Sequence, residues 1–177
     1  MQKMISWVMV IASIALITIC VLLAGCSKKV KQNTTEYVAQ VKWIHDGDTV
    51  TVIDAEKQEH KLRLYAIDAP ELAQRGGRES MKNLIALLPK NSWVNVEVEN
   101  KDRYGREVAT IYRKDENINR RQIADGQAWN YIKYNEKYMD DYTLTENLAH
   151  KQKKGLWKDA NPQPPWEYRK TKREKQH

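Results

Sequence analysis

From Tyr37 to Ile67 apolar side chains recur with a period close to two, the pattern of strands that bury one face. Tyr37, Ala39, Val41 and Trp43 fall on one side of a first predicted strand, which runs into the turn His45-Asp46-Gly47-Asp48. Thr49 to Ile53 and Leu62 to Ile67 predict a second and a third strand in meander order. After Pro70 and the polar loop Gln74-Arg75-Gly76-Gly77-Arg78 the period changes. Met81, Leu84, Ile85 and Leu88 stand at helical spacing in a predicted helix from Glu79 to Leu88, stopped by Pro89. Trp93, Val94, Val96 and Val98 mark a fourth strand, and Val108 to Tyr112 a fifth. A short helix from Asn117 to Ala124 ends at Gly126, and Leu144 to Lys154 reads as a last helix closed by Gly155. Five short strands, a helix after the third and helices at the end predict an α+β fold that is mainly β. Its form is a small five-stranded barrel of the oligonucleotide-binding type with about three helices.

Composition adds a partner class. With 177 residues, 41% hydrophobic and 30% charged, the chain holds one domain with a sizeable core plus tails. Lys and Arg number 30 against 23 Asp and Glu, a formal charge of +7, which favours a polyanion such as nucleic acid or an anionic surface. The two cysteines, Cys20 and Cys26, both precede the predicted strands, which excludes a disulfide framework or a thiolate metal site in the folded part.

The N-terminus reads as a targeting segment, not as part of the fold. Lys3 precedes a charge-free apolar run from Met4 to Ala24 that ends in Leu23-Ala24-Gly25-Cys26, followed by basic, polar residues. The run reaches the roughly 20 residues of a bilayer span, so an uncleaved anchor is one alternative. Its ending resembles the bacterial lipobox. That resemblance implies a signal peptide over 1–25, lipidation with palmitate-type chains on Cys26, a flexible tether to residue 35, and a membrane-anchored lipoprotein of the cell envelope facing outside the cytoplasm. One acyl chain binds a membrane at only about 10⁴ M⁻¹, whereas several chains anchor it stably.

The chemistry concentrates between Asp46 and Glu71. Asp46, Asp48, Asp68 and Glu71 lie near the ends of two predicted strands, and Arg63 on the second points away from the face that carries Leu62 and Leu64. Arginine and carboxylates can therefore converge on one pocket. Carboxylate and carbonyl oxygens are hard donors suited to Ca²⁺, and a site of low ligand charge binds it at about 10⁻⁴ to 10⁻³ M. A carboxylate left free of the metal can orient or deprotonate water. Arginine offers a fixed fork of donors to phosphate oxygens and cannot be the base. Singly, each residue has an ordinary reading: turn aspartates beside a glycine, acids flanking a proline turn, a solvated arginine. Only together do they point to phosphodiester chemistry.

Three pieces in order carry a family resemblance: Asp46-Gly47-Asp48-Thr49; Arg63-Leu64, followed after three residues by Asp68-Ala69-Pro70-Glu71; and Asp102-Arg103-Tyr104-Gly105-Arg106. Over about residues 37 to 157 the chain resembles the staphylococcal nuclease (thermonuclease) family. Gly155-Leu156-Trp157 and the run Asn161 to Glu167 are similar to its bacterial secreted members. The resemblance implies Ca²⁺ on Asp48, Asp68 and the backbone carbonyl of Ala69, Glu71 as general base, and Arg63 and Arg106 on the scissile phosphate. Arg103 and Tyr104 stand where members contact a neighbouring phosphate. The activity implied is endonucleolytic hydrolysis of DNA and RNA by a monomer, with low sequence specificity, single strands preferred and 3′-phosphates left behind.

Tyr131 and Tyr134, in Trp129-Asn130-Tyr131-Ile132-Lys133-Tyr134, offer a base-stacking face, each stacked base contributing roughly 1 to 3 kcal/mol. Ile132 stands where the type member has a stacking tyrosine, which opens the question of base preference. His45 reads as structural. The expected organisation is a nuclease domain over 36–158 and a Pro-rich, basic tail over 159–177, whose run Arg169 to Lys175 reads as solvated. The alternative is a catalytically weak, nucleic-acid-binding lipoprotein of the same fold.

Overall fold

The computed structural model describes residues 35–176. The expectations for the signal peptide, Cys26 and the tether lie outside the described residues. Strand β1 (Thr35–Ile44), β2 (Thr49–Asp54), β3 (Glu59–Leu64) and the two-residue β4 (Ile67–Asp68) lead to helix α1 (Gly77–Leu87). Then come β5 (Trp93–Lys101), β6 (Glu107–Arg113), β7 (Glu116–Asn117), α2 (Ile118–Ala124), β8 (Trp129–Asn130), α3 (Met139–Lys151) and α4 (Pro165–Glu174), with short 3₁₀ turns at Ile132–Tyr134 and Gly155–Lys158.

The strands run β3-β2-β1-β5-β6-β7, and β3 also pairs with β6. That extra pairing is parallel, Leu62 with Glu107, Arg63 with Val108 and Leu64 with Ala109, and it joins the ends of the sheet. The five long strands thus form a closed barrel, an α+β fold as the periodicity predicts, and closure removes the exposed sheet edges. Ala39, Val41, Val50, Val52, Leu62, Leu64, Val94, Val96, Ala109 and Ile111 point inward and are buried, with Leu84 and Leu88 of α1 packed into the same core. Among the described residues no helix is long and apolar enough to cross a membrane.

Four details depart from the sequence reading. Trp43 does not share the face of Ala39 and Val41: the register slips between Val41 and Trp43, leaving Trp43 59% exposed while Ile44 turns inward. An extra residue at a bulge inverts the alternation beyond it. β3 stops at Leu64 instead of running to Ile67, because Ala66 takes a positive φ of 62° and turns the chain into β4. β4 then pairs with β8, Ile67 opposite Asn130 and Asp68 opposite Trp129. α3 starts at Met139, five residues before its predicted start, with Asp140 and Asp141 in the first turn, where the helix dipole favours acids.

The fourth departure is the largest. The basic run read as a solvated tail is the helix α4, with Pro165 in its first turn, Glu167 near its start and Lys172 and Arg173 near its end. A proline at the start and charges matched to the dipole favour this helix locally. Trp166 fastens it to a small second core of Trp129, Ala149 and Trp157.

Candidate active site

The aspartate turn is built around a glycine. A Cβ on Gly47 would lie 1.9 Å from Ser80 Oγ and 2.7 Å from Ala69 Cβ, so only glycine lets the turn press against α1 and β4. Gln122 Nε2 donates to the Gly47 carbonyl at 2.7 Å, and the Asp48 amide donates to Asp46 Oδ1 at 3.0 Å. Asp46 is therefore a turn-forming residue. His45 Nε2 lies 2.8 Å from Thr51 Oγ1, in keeping with its structural reading.

Asp48 and Asp68, both buried, are drawn together by Arg63. Its Nη2 lies 3.1 Å from Asp48 Oδ2 and 2.9 Å from Asp68 Oδ1, while Nη1 donates to the carbonyls of Leu64 and Ile67, each at 2.9 Å. The Ala69 amide donates to Asp48 Oδ2 at 2.6 Å. Burial pushes the Asp48 carboxyl above the usual carboxylate range against the pull of Arg63, with the charges of Asp46 and Asp68 adding to the rise.

These donors suit a hard cation. Two carboxylates converge on a single nitrogen, and the adjoining Ala69 carbonyl and water can complete an oxygen shell. Among the described residues no three His, Cys, Asp or Glu side chains surround one point. An ion here would draw on the carboxylates of Asp48 and Asp68.

Glu71 follows β4 and is the most open of these acids, its side chain 44% exposed. Its backbone is fixed from both sides. Gln74 N donates to Glu71 O at 2.8 Å, and a Cβ on Gly77 would come within 1.9 Å of that same carbonyl. Its carboxylate meets a residue the sequence reading left in solvent: Arg169 of α4. Arg169 Nη1 donates to Glu71 Oε1 at 2.9 Å and to Asp68 Oδ1 at 3.2 Å, and Nη2 donates to Asp68 Oδ2 at 2.7 Å. Burial opposes the Arg169 charge, but Asp68 and Glu71 outweigh it and hold its pKa above the ordinary arginine value. One sequence cue was available. Trp166 and Arg169 are three apart, hence neighbours on one helix face.

Arg106 stands apart from this cluster. Its Nε pairs with Asp102 Oδ2 at 2.7 Å in its own turn. Because Arg63 pairs with Val108, the register puts Arg106 on the same side of the sheet as Arg63, offset by two residues or roughly 7 Å along the strand. Tyr104 is 70% exposed, with the guanidiniums of Arg103 and Arg106 4.9 and 5.7 Å from its ring centre. Tyr131 and Tyr134 are neighbours at 4.8 Å, and the backbone links them to the acids, since Tyr131 N donates to Ala66 O. Trp166 stacks on Tyr131 at 5.5 Å with the rings 4° from parallel, so one face of Tyr131 is covered, while Tyr134 is exposed.

Fold and site together define a barrel of the oligonucleotide-binding type with an acid-arginine centre where its strands end. Residues 61–159 match the family model described as staphylococcal nuclease homologue. An uncharacterized endonuclease of Escherichia coli O157:H7 is 41% identical over 131 residues, 72% of this chain and 81% of that protein. One of Haemophilus influenzae is 34% identical over 159 residues, 90% of this chain and 84% of that protein. A micrococcal nuclease of Shigella flexneri is 32% identical over 145 residues, 77% of this chain and 82% of that protein. The chain belongs to the staphylococcal nuclease family, and it is a nuclease enzyme.

Proposed function

We propose that this nuclease is a Ca²⁺-dependent endonuclease, a monomer that hydrolyses DNA and RNA with little sequence preference, favours single strands and leaves 3′-phosphates. The observation that carries this reading is the convergence of Asp48 and Asp68 on Arg63 with Glu71 beside them. Asp48, Asp68 and the Ala69 carbonyl hold the ion, which supplies charge neutralisation at the phosphate when bound. Glu71, the open carboxylate, orients or deprotonates the attacking water. Arg63 donates through Nη1 to two carbonyls and through Nη2 to Asp68, with Asp48 in ion-pair range of the same nitrogen, so Nε is the nitrogen left for a phosphate oxygen. Arg106, on the same side of the sheet, supplies the second grip, and Arg103 with Tyr104 holds a neighbouring phosphate. Tyr134 and the open face of Tyr131 take bases.

The Leu-Ala-Gly-Cys sequence supports anchoring in the cell envelope through lipid on Cys26. Incorporation of labelled palmitate into the wild-type chain but not into Cys26→Ala is the expected result. For the chemistry, the full chain in detergent is incubated with denatured DNA or with RNA, in Ca²⁺ or in chelator. Cleavage in Ca²⁺ alone, with 3′-phosphate ends, is expected. A second reading, a weakly catalytic binding module, draws support from Arg63 being held by Asp48 and Asp68 and Arg106 by Asp102. Binding without cleavage in either condition decides for it.

A further inference from the structure

We propose that Arg169 is a positioning residue of the hydrolytic site, the resident counter-cation of Asp68 and Glu71, and that a divalent ion binds by taking its place. The inference rests on the Ca²⁺ reading above. The guanidinium occupies both oxygens of Asp68, a residue assigned to the ion, and one oxygen of Glu71, the residue assigned to water. Arg63 adds a further donor to Asp68 Oδ1, so that oxygen already accepts two N–H groups. A dication beside Asp68, itself buried, would face the Arg169 charge at close range, where repulsion is stronger than in bulk water. Ion and arginine therefore exclude one another.

The helix that carries Arg169 is held in a way that permits exchange. Its side-chain ties to the barrel include the Arg169 pairs and the packing of Trp166 on Tyr131 and Trp129, with ring centres 5.5 and 6.5 Å apart, beside the buried Pro165. Just before it, Gln74 Nε2 donates to the Gln163 carbonyl at 2.6 Å, tethering the stretch Pro162-Gln163-Pro164 to the Glu71 loop. That tether keeps the helix near the site after its arginine lets go. The same helix covers the second face of Tyr131 through Trp166, so its departure would uncover a further stacking surface as it frees the carboxylates. Without metal, Arg169 keeps two acids from repelling each other and holds them in place; with metal, it yields them.

Calorimetric titration of Ca²⁺ into the full chain in detergent tests this, comparing wild type with Arg169→Gln, Arg169→Lys and the control Arg173→Gln on the exposed side of α4. Arg169→Gln is expected to bind Ca²⁺ about tenfold more tightly, Arg169→Lys to fall between it and wild type, and Arg173→Gln to match wild type. Amide exchange over 165–174 is expected to quicken when Ca²⁺ saturates the wild type. A purely structural Arg169 would weaken Ca²⁺ binding on removal. Equal or weaker affinity in Arg169→Gln, or exchange in α4 unmoved by Ca²⁺, overturns the inference and leaves the Ca²⁺ reading standing. Absence of Ca²⁺ binding in wild type and all variants overturns both. If Arg169→Gln does not fold, Arg169→Lys against wild type decides in the same way.

Discussion

Arg63 and Arg169 meet the same carboxylate, Asp68, from two kinds of structure. Arg63 grows from β3 inside the closed barrel and bonds two main-chain carbonyls as well as two acids. Arg169 comes from a ten-residue helix at the C-terminal end, bonds only side chains, and depends on one tryptophan for its seat. Equal charges at one site therefore differ in what their removal disturbs. Taking away the first opens the barrel's own joinery, whereas taking away the second leaves the barrel as it is. The site is thus half fixed and half exchangeable, a division that suits a centre that must be organised before its ligands arrive and must still admit them.

The largest test of that division is Arg63→Ala set against Arg106→Ala. Loss of a preorganised donor lowers turnover about 10² to 10³-fold, and both variants are expected to show it in a nuclease assay. Arg63→Ala also strands buried Asp48, while Asp68 keeps Arg169, so urea unfolding should show a loss of about 3 to 5 kcal/mol. Arg106 pairs within a surface turn, and its removal is expected to change stability by less than about 1 kcal/mol. Equal stability of the two variants would break the comparison.

Gly77→Ala probes the same fixed half by another route. Its new Cβ would meet the Glu71 carbonyl at 1.9 Å, and a backbone atom cannot swing aside as a side chain can. A loss of about 1 to 3 kcal/mol in urea is expected. A fall in turnover should come with it, because the displaced segment carries the proposed base.

How much of this was legible follows the same line. The barrel showed in the sequence because Val50, Val52, Leu62, Leu64, Val94 and Val96 alternate with polar neighbours, and one buried face writes that period directly. Asp48, Asp68, Glu71 and Arg63 were legible because short turns and strand ends place them, so their spacing in the chain carries over to space. Trp43 was misplaced because one extra residue at a bulge leaves no mark in composition. Arg169 was missed because α4 buries only Pro165 fully and Trp166 in part, and a helix held by these and one ion cluster has no apolar stripe to show. Its partners lie about 100 residues earlier, a distance across which no local pattern reaches.

The exchangeable half is tested by ending the chain after Pro164. The barrel is expected to keep its cooperative unfolding, with stability within about 1.5 kcal/mol of wild type, the scale of the aromatic pairs that Trp166 makes. Trp166→Ala should do the same more gently and speed amide exchange over 165–174 while leaving β1 to β6 protected. Loss of protection in the β strands would mean that the helix is part of the barrel's support after all.

The smallest effect expected lies in the fixed half, at the seam where β3 meets β6. His60 bridges Asp54 at 2.9 Å and Glu107 at 3.3 Å, and Tyr37 donates to Glu107 at 2.6 Å. Burial lowers the His60 pKa, but the hydrogen bonds to the two carboxylates outweigh it and leave the pKa above its usual 6.5. A group whose pKa is higher folded than unfolded stabilises fully below the unfolded value, and that share is lost as pH rises through the folded one. Stability of the wild type should therefore decline modestly as pH rises above about 6.5 and through the folded pKa. His60→Gln should remove that slope while leaving Ca²⁺ affinity and turnover unchanged, since the ring of His60 bonds Asp54 and Glu107 and none of the acids of the centre. A seam variant that altered Ca²⁺ affinity would show that the barrel's closure and its site are coupled, and that the fixed half is less rigid than Arg63's bonds imply.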